Sequence, residues 1–229
     1  MKQTTYALLE DYMCNCMADS AHDKEHVYRV LYSALQIARE EEHVDYDVLI
    51  AACLLHDIGR REQFDNSALC HAQVGAEKAV HFLREHGFEE DFIQKVCHCI
   101  RTHRFRKATP PETVEAKILF DADKLDATGA IGVARTLMYK ADMEEPLYRL
   151  LPDGSISDGT EDIGSSFFRE YKFKLEKLYD RFYTHAGSRM AQSRRQIAAA
   201  YYEALYREVS DGYDQGRAAL ERCLEEWRA

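Results

Sequence analysis

Apolar residues recur at three- and four-residue steps along almost the whole 229-residue chain, and only four prolines and eleven glycines interrupt them. This spacing follows the 3.6-residue period of a helix, not the two-residue period of a strand. The fold class expected is therefore all-α, a single-domain helical bundle over residues 1–229. Its core should lie at about 20–140, with the C-terminal helices packing back on it. Residues 24–42 place Val27, Val30, Leu31, Ala34, Ile37 and Ala38 on one face and wetter residues on the other. Asp45 is the expected N-cap of a segment that is apolar on almost every side up to Leu55, and Gly59 its expected C-terminal stop. Further helices are expected at 71–86, 91–102, 114–139, 166–185 and 188–209, with a short one at each end of the chain. Segments 104–112 and 151–165 lack the period and read as connections, the second long enough for a lid.

The formal charge of −10 argues against a broad grip on nucleic acid or on an anionic membrane. No apolar run approaches the length of a membrane span, and the first ten residues lack the order of a secretion signal, so a cytoplasmic protein is expected. The seven cysteines are odd in number and paired closely only as C-x-C, which reads as free thiols in a reducing compartment.

Chemistry concentrates where the apolar helix ends in His56-Asp57. A carboxylate beside such a core needs a helix N-terminus, an arginine or a divalent cation to satisfy it, and the adjacent imidazole favours the cation. His26 stands at the edge of the core face of the preceding helix. Downstream, Asp121, Asp123 and Asp126 interrupt an apolar helical stretch, and Asp123 and Asp126, three apart, share a face.

The order His26, His56-Asp57, Asp123, with Asp123-Lys124-Leu125-Asp126-Ala127 at its end, resembles the HD-domain superfamily of metal-dependent phosphohydrolases. It is similar above all to the small stand-alone bacterial members, from about His26 to Arg135. The resemblance implies a helical bundle of the HD-domain type in which His26, His56, Asp57 and Asp123 hold one divalent ion (Mn, Co, Ni, Fe or Mg). Asp121 is the rival for the fourth place, and Asp123 is preferred as the first acid of the D-x-x-D-A run. His71, in H-A-Q-V-G-A, and His103, in I-R-T-H, match positions that bind a second ion in binuclear members. Arg104 replaces the second histidine expected after His103, so a complete second site is not expected, and His71 and His103 are read as contacts to substrate or water.

Arg60, Arg104 and Lys124 are the candidate phosphate contacts, supported by Arg101, Arg106 and Lys107. Asp57, Lys124 and Glu62 are the candidate catalytic residues, Glu62 or Asp65 being able to act as acid or base. The implied activity is hydrolysis of a small phosphate ester or anhydride, a nucleotide first, by metal-activated water. The alternatives are a di-iron oxygenase on the same fold and a non-catalytic metal- or nucleotide-binding regulatory module. No G-Y-P run follows His103, and Ile58-Gly59-Arg60-Arg61 stands where alarmone hydrolases carry x-x-E-D, which argues against both of those activities.

Overall fold

The computed structural model describes residues 1–17, 24–104 and 110–226. Most of these residues are helical, and among them the only β pairing is an isolated bridge between Leu150 and Ile156. None of the described helices is long and apolar enough to cross a membrane. Two compact units emerge, Met1–Asp126 with Phe182–Arg189, and Ala127–Arg181 with Met190–Ala229.

The first unit contains α1 (Gln3–Met17), α2 (Lys24–Ala38), α3 (Tyr46–Leu55), α4 (Arg60–Asp65), α5 (His71–Glu85), α6 (Glu90–Thr102) and α7 (Val114–Leu125). Helix α3 is its centre, packed by α1, α2, α6 and α7. It is apolar all round because it is surrounded all round, and Val48, Leu49, Ala51, Ala52, Cys53, Leu54 and Leu55 are all buried. Each fully buried leucine stabilises the fold by about 1.5–3 kcal/mol. Asp45 caps this helix as its sequence position requires, its carboxylate accepting the amides of Asp47 at 3.1 Å and Val48 at 3.2 Å.

Two expectations change here. Gly59 does not stop α3, which ends at Leu55 with His56 as its cap; Gly59 instead precedes α4, and its φ of −98° needs no glycine. Crowding is what selects glycine: a Cβ there would collide with the carbonyl oxygen of His71 and lie 2.6 Å from the amide nitrogen of Gly75. The expected helix over 114–139 is also broken, into α7 and α8 (Gly129–Asp142), because Asp126 closes α7, Thr128 is extended and Gly129 turns at a φ of +61°. Short α4 escapes sequence reading because it has no buried face.

The second unit contains α8, α9 (Phe167–Phe173), a 3-10 segment (Leu175–Asp180) and most of α10 (His185–Glu226), which runs without a break through the two helices expected beyond 188. Phe167, Phe168, Tyr171, Leu175 and Tyr202 dominate its core. The 151–165 segment belongs to that core. Ile156 and Ser157 are buried, the Tyr202 hydroxyl donates to the Asp158 carbonyl at 2.5 Å, and Gly159, at a φ of +96°, presses against the Phe168 backbone.

Candidate metal centre

Four histidines reach one point from four helices of the first unit. His26 lies in the first turn of α2, His71 opens α5, and His56 and His103 cap the C-termini of α3 and α6. The two caps share one device: each ring folds back on its own last turn and donates Nδ1–H to a carbonyl three residues earlier, Cys53 at 2.7 Å and Ile100 at 2.6 Å. His71 Nδ1 meets Gln63 Oε1 at 2.5 Å, and His26 Nδ1 meets Asp126 Oδ2 at 2.7 Å. Oxygens of these kinds only accept, so each ring holds a proton on Nδ1 and directs Nε2 inward.

The inward nitrogens pair off. His26 and His56 bring their Nε2 atoms to 3.4 Å, and His71 and His103 to 3.2 Å. Asp57 stands between the pairs. Its Oδ2 is 3.5 Å from His26 and 3.6 Å from His56, and its Oδ1 is 3.4 Å from His71 and 3.6 Å from His103. Asp123 completes the first group, with Oδ1 3.2 Å from His26 Nε2 and 4.0 Å from His56 Nε2. Two donor groups result, His26–His56–Asp123 and Asp57–His71–His103, each with its donor atoms close enough to share one ion. Asp57, which closes the second, also faces the first.

The residues present fit a divalent cation. Both Asp57 oxygens are buried and accept no hydrogen bond; the Arg60 guanidinium, its Nε 2.9 Å from Oδ1, offsets part of the cost of burying this charge, and a divalent cation would offset more. Burial alone would raise the Asp57 carboxyl, but the positive field of Arg60, His56 and His26 holds it well below the usual carboxylate range. Burial opposes charge on His26 too, yet the carboxylates of Asp123, Asp126 and Asp57 around it drive it up to about 10. A site that forces positive charge onto a buried imidazole is built for a cation. Burial instead lowers His71 to about 2 and His103 to about 4, keeping both as neutral donors at ordinary pH.

Other candidates fall in distinct places. Arg60 Nε is 2.9 Å from Asp57 Oδ1, and the charges of Arg60 and Arg104 both bear on His71, so two guanidinium groups flank the second group. Glu62 is paired at 2.7 Å with Lys78, which also donates to the Ile58 carbonyl, and its Oε2 is buried without a hydrogen-bond partner. Lys124 Nζ lies 3.7 Å over the Phe120 ring and 5.9 Å over that of Phe182. Arg106 and Lys107 lie outside the described residues.

The three acids of α7 and its cap diverge. Asp121 accepts the amides of Tyr183 at 2.9 Å and Thr184 at 2.7 Å and the Thr184 hydroxyl at 2.6 Å, tying the 182–189 segment to its unit. Asp126 is not turned toward the ion position; it holds His26 and is itself held by Arg29, at 2.7 Å from Nε. Sequence reading missed Arg29 and Gln63, although Arg29 lies one turn beyond His26. Asp121→Ala should therefore keep its metal, yet lose about 2 kcal/mol because buried amides are left without acceptors. Asp123→Ala should do the reverse. Metal content and urea unfolding of both variants check this, and the opposite pattern would reject the assignment.

Residues 24–128 match the HD domain family. Among curated proteins, YpgQ of Bacillus subtilis is 29% identical over 194 residues, covering 83% of this chain and 85% of its own. The crystal structure of YpgQ in complex with ADP matches with a TM-score of 0.68 and 25% identity, over 88% of this chain and 97% of that one. An HD-superfamily hydrolase from Bacillus thuringiensis matches with a TM-score of 0.68 and 27% identity, over 91% and 98%. Residues 24–128, with their histidines and aspartates gathered as described, form an HD domain.

Proposed function

We propose that this protein hydrolyses a phosphate ester or anhydride of a nucleotide with a divalent ion bound by His26, His56, Asp57 and Asp123. The observation that carries the reading is the buried Asp57 carboxylate, free of hydrogen bonds and faced by four imidazole nitrogens. When bound, the ion supplies Lewis acidity toward a phosphoryl oxygen and lowers the pKa of water. Arg60 and Arg104 provide the positive field for the phosphate oxygens, and the planar guanidinium suits two-point contact with them. His71 and His103, neutral and with their Nδ1–H groups engaged by Gln63 and the Ile100 carbonyl, orient substrate or water by accepting hydrogen bonds at Nε2. Glu62, kept ionised by Lys78, is the available proton acceptor on α4. The ADP bound to YpgQ supports a nucleotide as the substrate class.

A second reading has support in the Asp57–His71–His103 group, whose three donor atoms could hold a second ion. Di-iron chemistry would then appear as two irons per chain and an oxygen-dependent absorption spectrum. The test of the main reading is a nucleotide panel assayed with Mn, Co, Ni, Fe and Mg in turn. Release of phosphate or pyrophosphate is the expected result; none with any metal and nucleotide would reject it.

A further inference from the structure

Three of the four imidazoles at the centre are seated by neutral oxygens, those of Cys53, Ile100 and Gln63. His26 alone is seated by a carboxylate, that of Asp126. This carboxylate is in turn gripped at two points by Arg29, whose Nε is 2.7 Å from Oδ1 and whose second guanidinium nitrogen is 3.1 Å from Oδ2. Asp126 is buried and the Arg29 side chain about two-thirds so, which keeps the fork from dissolving into water. Local sequence builds the whole arrangement: Arg29 follows His26 by three residues on α2, and Asp126 follows Asp123 by three at the end of α7, so one helix pair supplies two ion donors and the clasp behind one of them.

We infer that Arg29 and Asp126 are positioning residues, which fix the proton of His26 on Nδ1 and aim its Nε2 at the ion, and so set metal affinity at the first donor group. The inference rests on the metal-site reading above. A carboxylate behind a ligating imidazole orients the ring and strengthens the opposite nitrogen as a donor, and its loss typically lowers metal affinity about 10- to 100-fold. The arginine is needed as well. Without its two-point grip the carboxylate could rotate, and the ring would lose its fixed aim.

The test is metal affinity, measured by competition of Mn or Co with a chelator, for wild type, Asp126→Ala, Asp126→Asn and Arg29→Gln. The expected order of affinity is wild type, then Asp126→Asn, then Asp126→Ala, with Asp126→Ala about 10- to 100-fold weaker. Asp126→Asn retains an acceptor of nearly the same shape and serves if the alanine variant does not fold. A second readout is the His26 Nδ1–H resonance in the Zn-loaded protein, which should move upfield in Asp126→Asn and in Arg29→Gln; a purely structural role would leave it in place. Affinity within twofold of wild type together with an unmoved resonance would overturn the inference. Failure of wild type itself to bind metal would instead overturn the metal-site reading.

Discussion

Replacing Asp57 by alanine should strip the protein of stoichiometric metal and abolish the nucleotide hydrolysis proposed for it. Asp57 presents one oxygen to His26 and His56 and the other to His71 and His103, so its removal takes a donor from both groups at once. Loss of a residue that only orients a ligand lowers affinity about 10- to 100-fold. Loss of a shared donor should exceed about 100-fold. Metal content after dialysis and phosphate release, with helicity followed by circular dichroism, check the prediction; a folded Asp57→Ala protein with full metal would refute it. The wild-type protein should also bind metal more tightly as pH rises. His26 is protonated up to about 10 and must shed that proton to ligate, so affinity should climb by about tenfold per pH unit for one displaced proton and level off near that value.

The second large effect is on stability. Gly59→Ala should lower it by about 3 kcal/mol, the upper end of what overpacking costs, because the added methyl meets backbone and not a flexible side-chain end. The obstructing atoms, the His71 carbonyl and the Gly75 amide, belong to the first turns of α5, so relief requires moving the helix that carries His71. Metal binding should weaken along with stability if the second group contributes to the site. Gly75→Ala is the control across the same contact. A Cβ at that position would lie 3.4 Å from Gly59 N and 3.5 Å from the His56 carbonyl, which is ordinary contact, and alanine favours a helix interior by about 1 kcal/mol over glycine. Urea unfolding of the two variants decides the matter: equal midpoints would show that the helices part easily and that the crowding argument is wrong.

Particular residues show what was legible in advance. Asp45 could be recognised as a cap because the signal is local, a carboxylate two and three residues before the amides it accepts. The break between α7 and α8 was missed although Thr128-Gly129 marks it, because the apolar period continues across the turn and outweighed one glycine. The α9 region lost its expected length for a related reason: the periodicity persists while the backbone tightens into a 3-10 segment at Leu175–Asp180. The long 151–165 segment read as a connection without a core face because its anchors are a buried isoleucine and contacts to residues tens of positions away.

The sequence by itself determined that the chain is helical, that a buried carboxylate follows His56, and that His26, His56, Asp57 and Asp123 form an ordered set. The first two rest on period or adjacency, which are properties of neighbours along the chain, whereas the ordered set rests on the resemblance to the HD-domain superfamily. Tertiary structure alone decided the division of labour among acids that composition makes equivalent. Asp121 and Asp123 point about 200° apart on their helix, so they face different elements, and only packing shows that one side holds the two amides of Tyr183 and Thr184 and the other holds His26. Asp126, about 60° from Asp123 in projection, shares its side yet meets the back of the imidazole and not its ligating edge. The same holds for His71 and His103, which stand 32 residues apart and join one group only because α5 and α6 pack together against the end of α3.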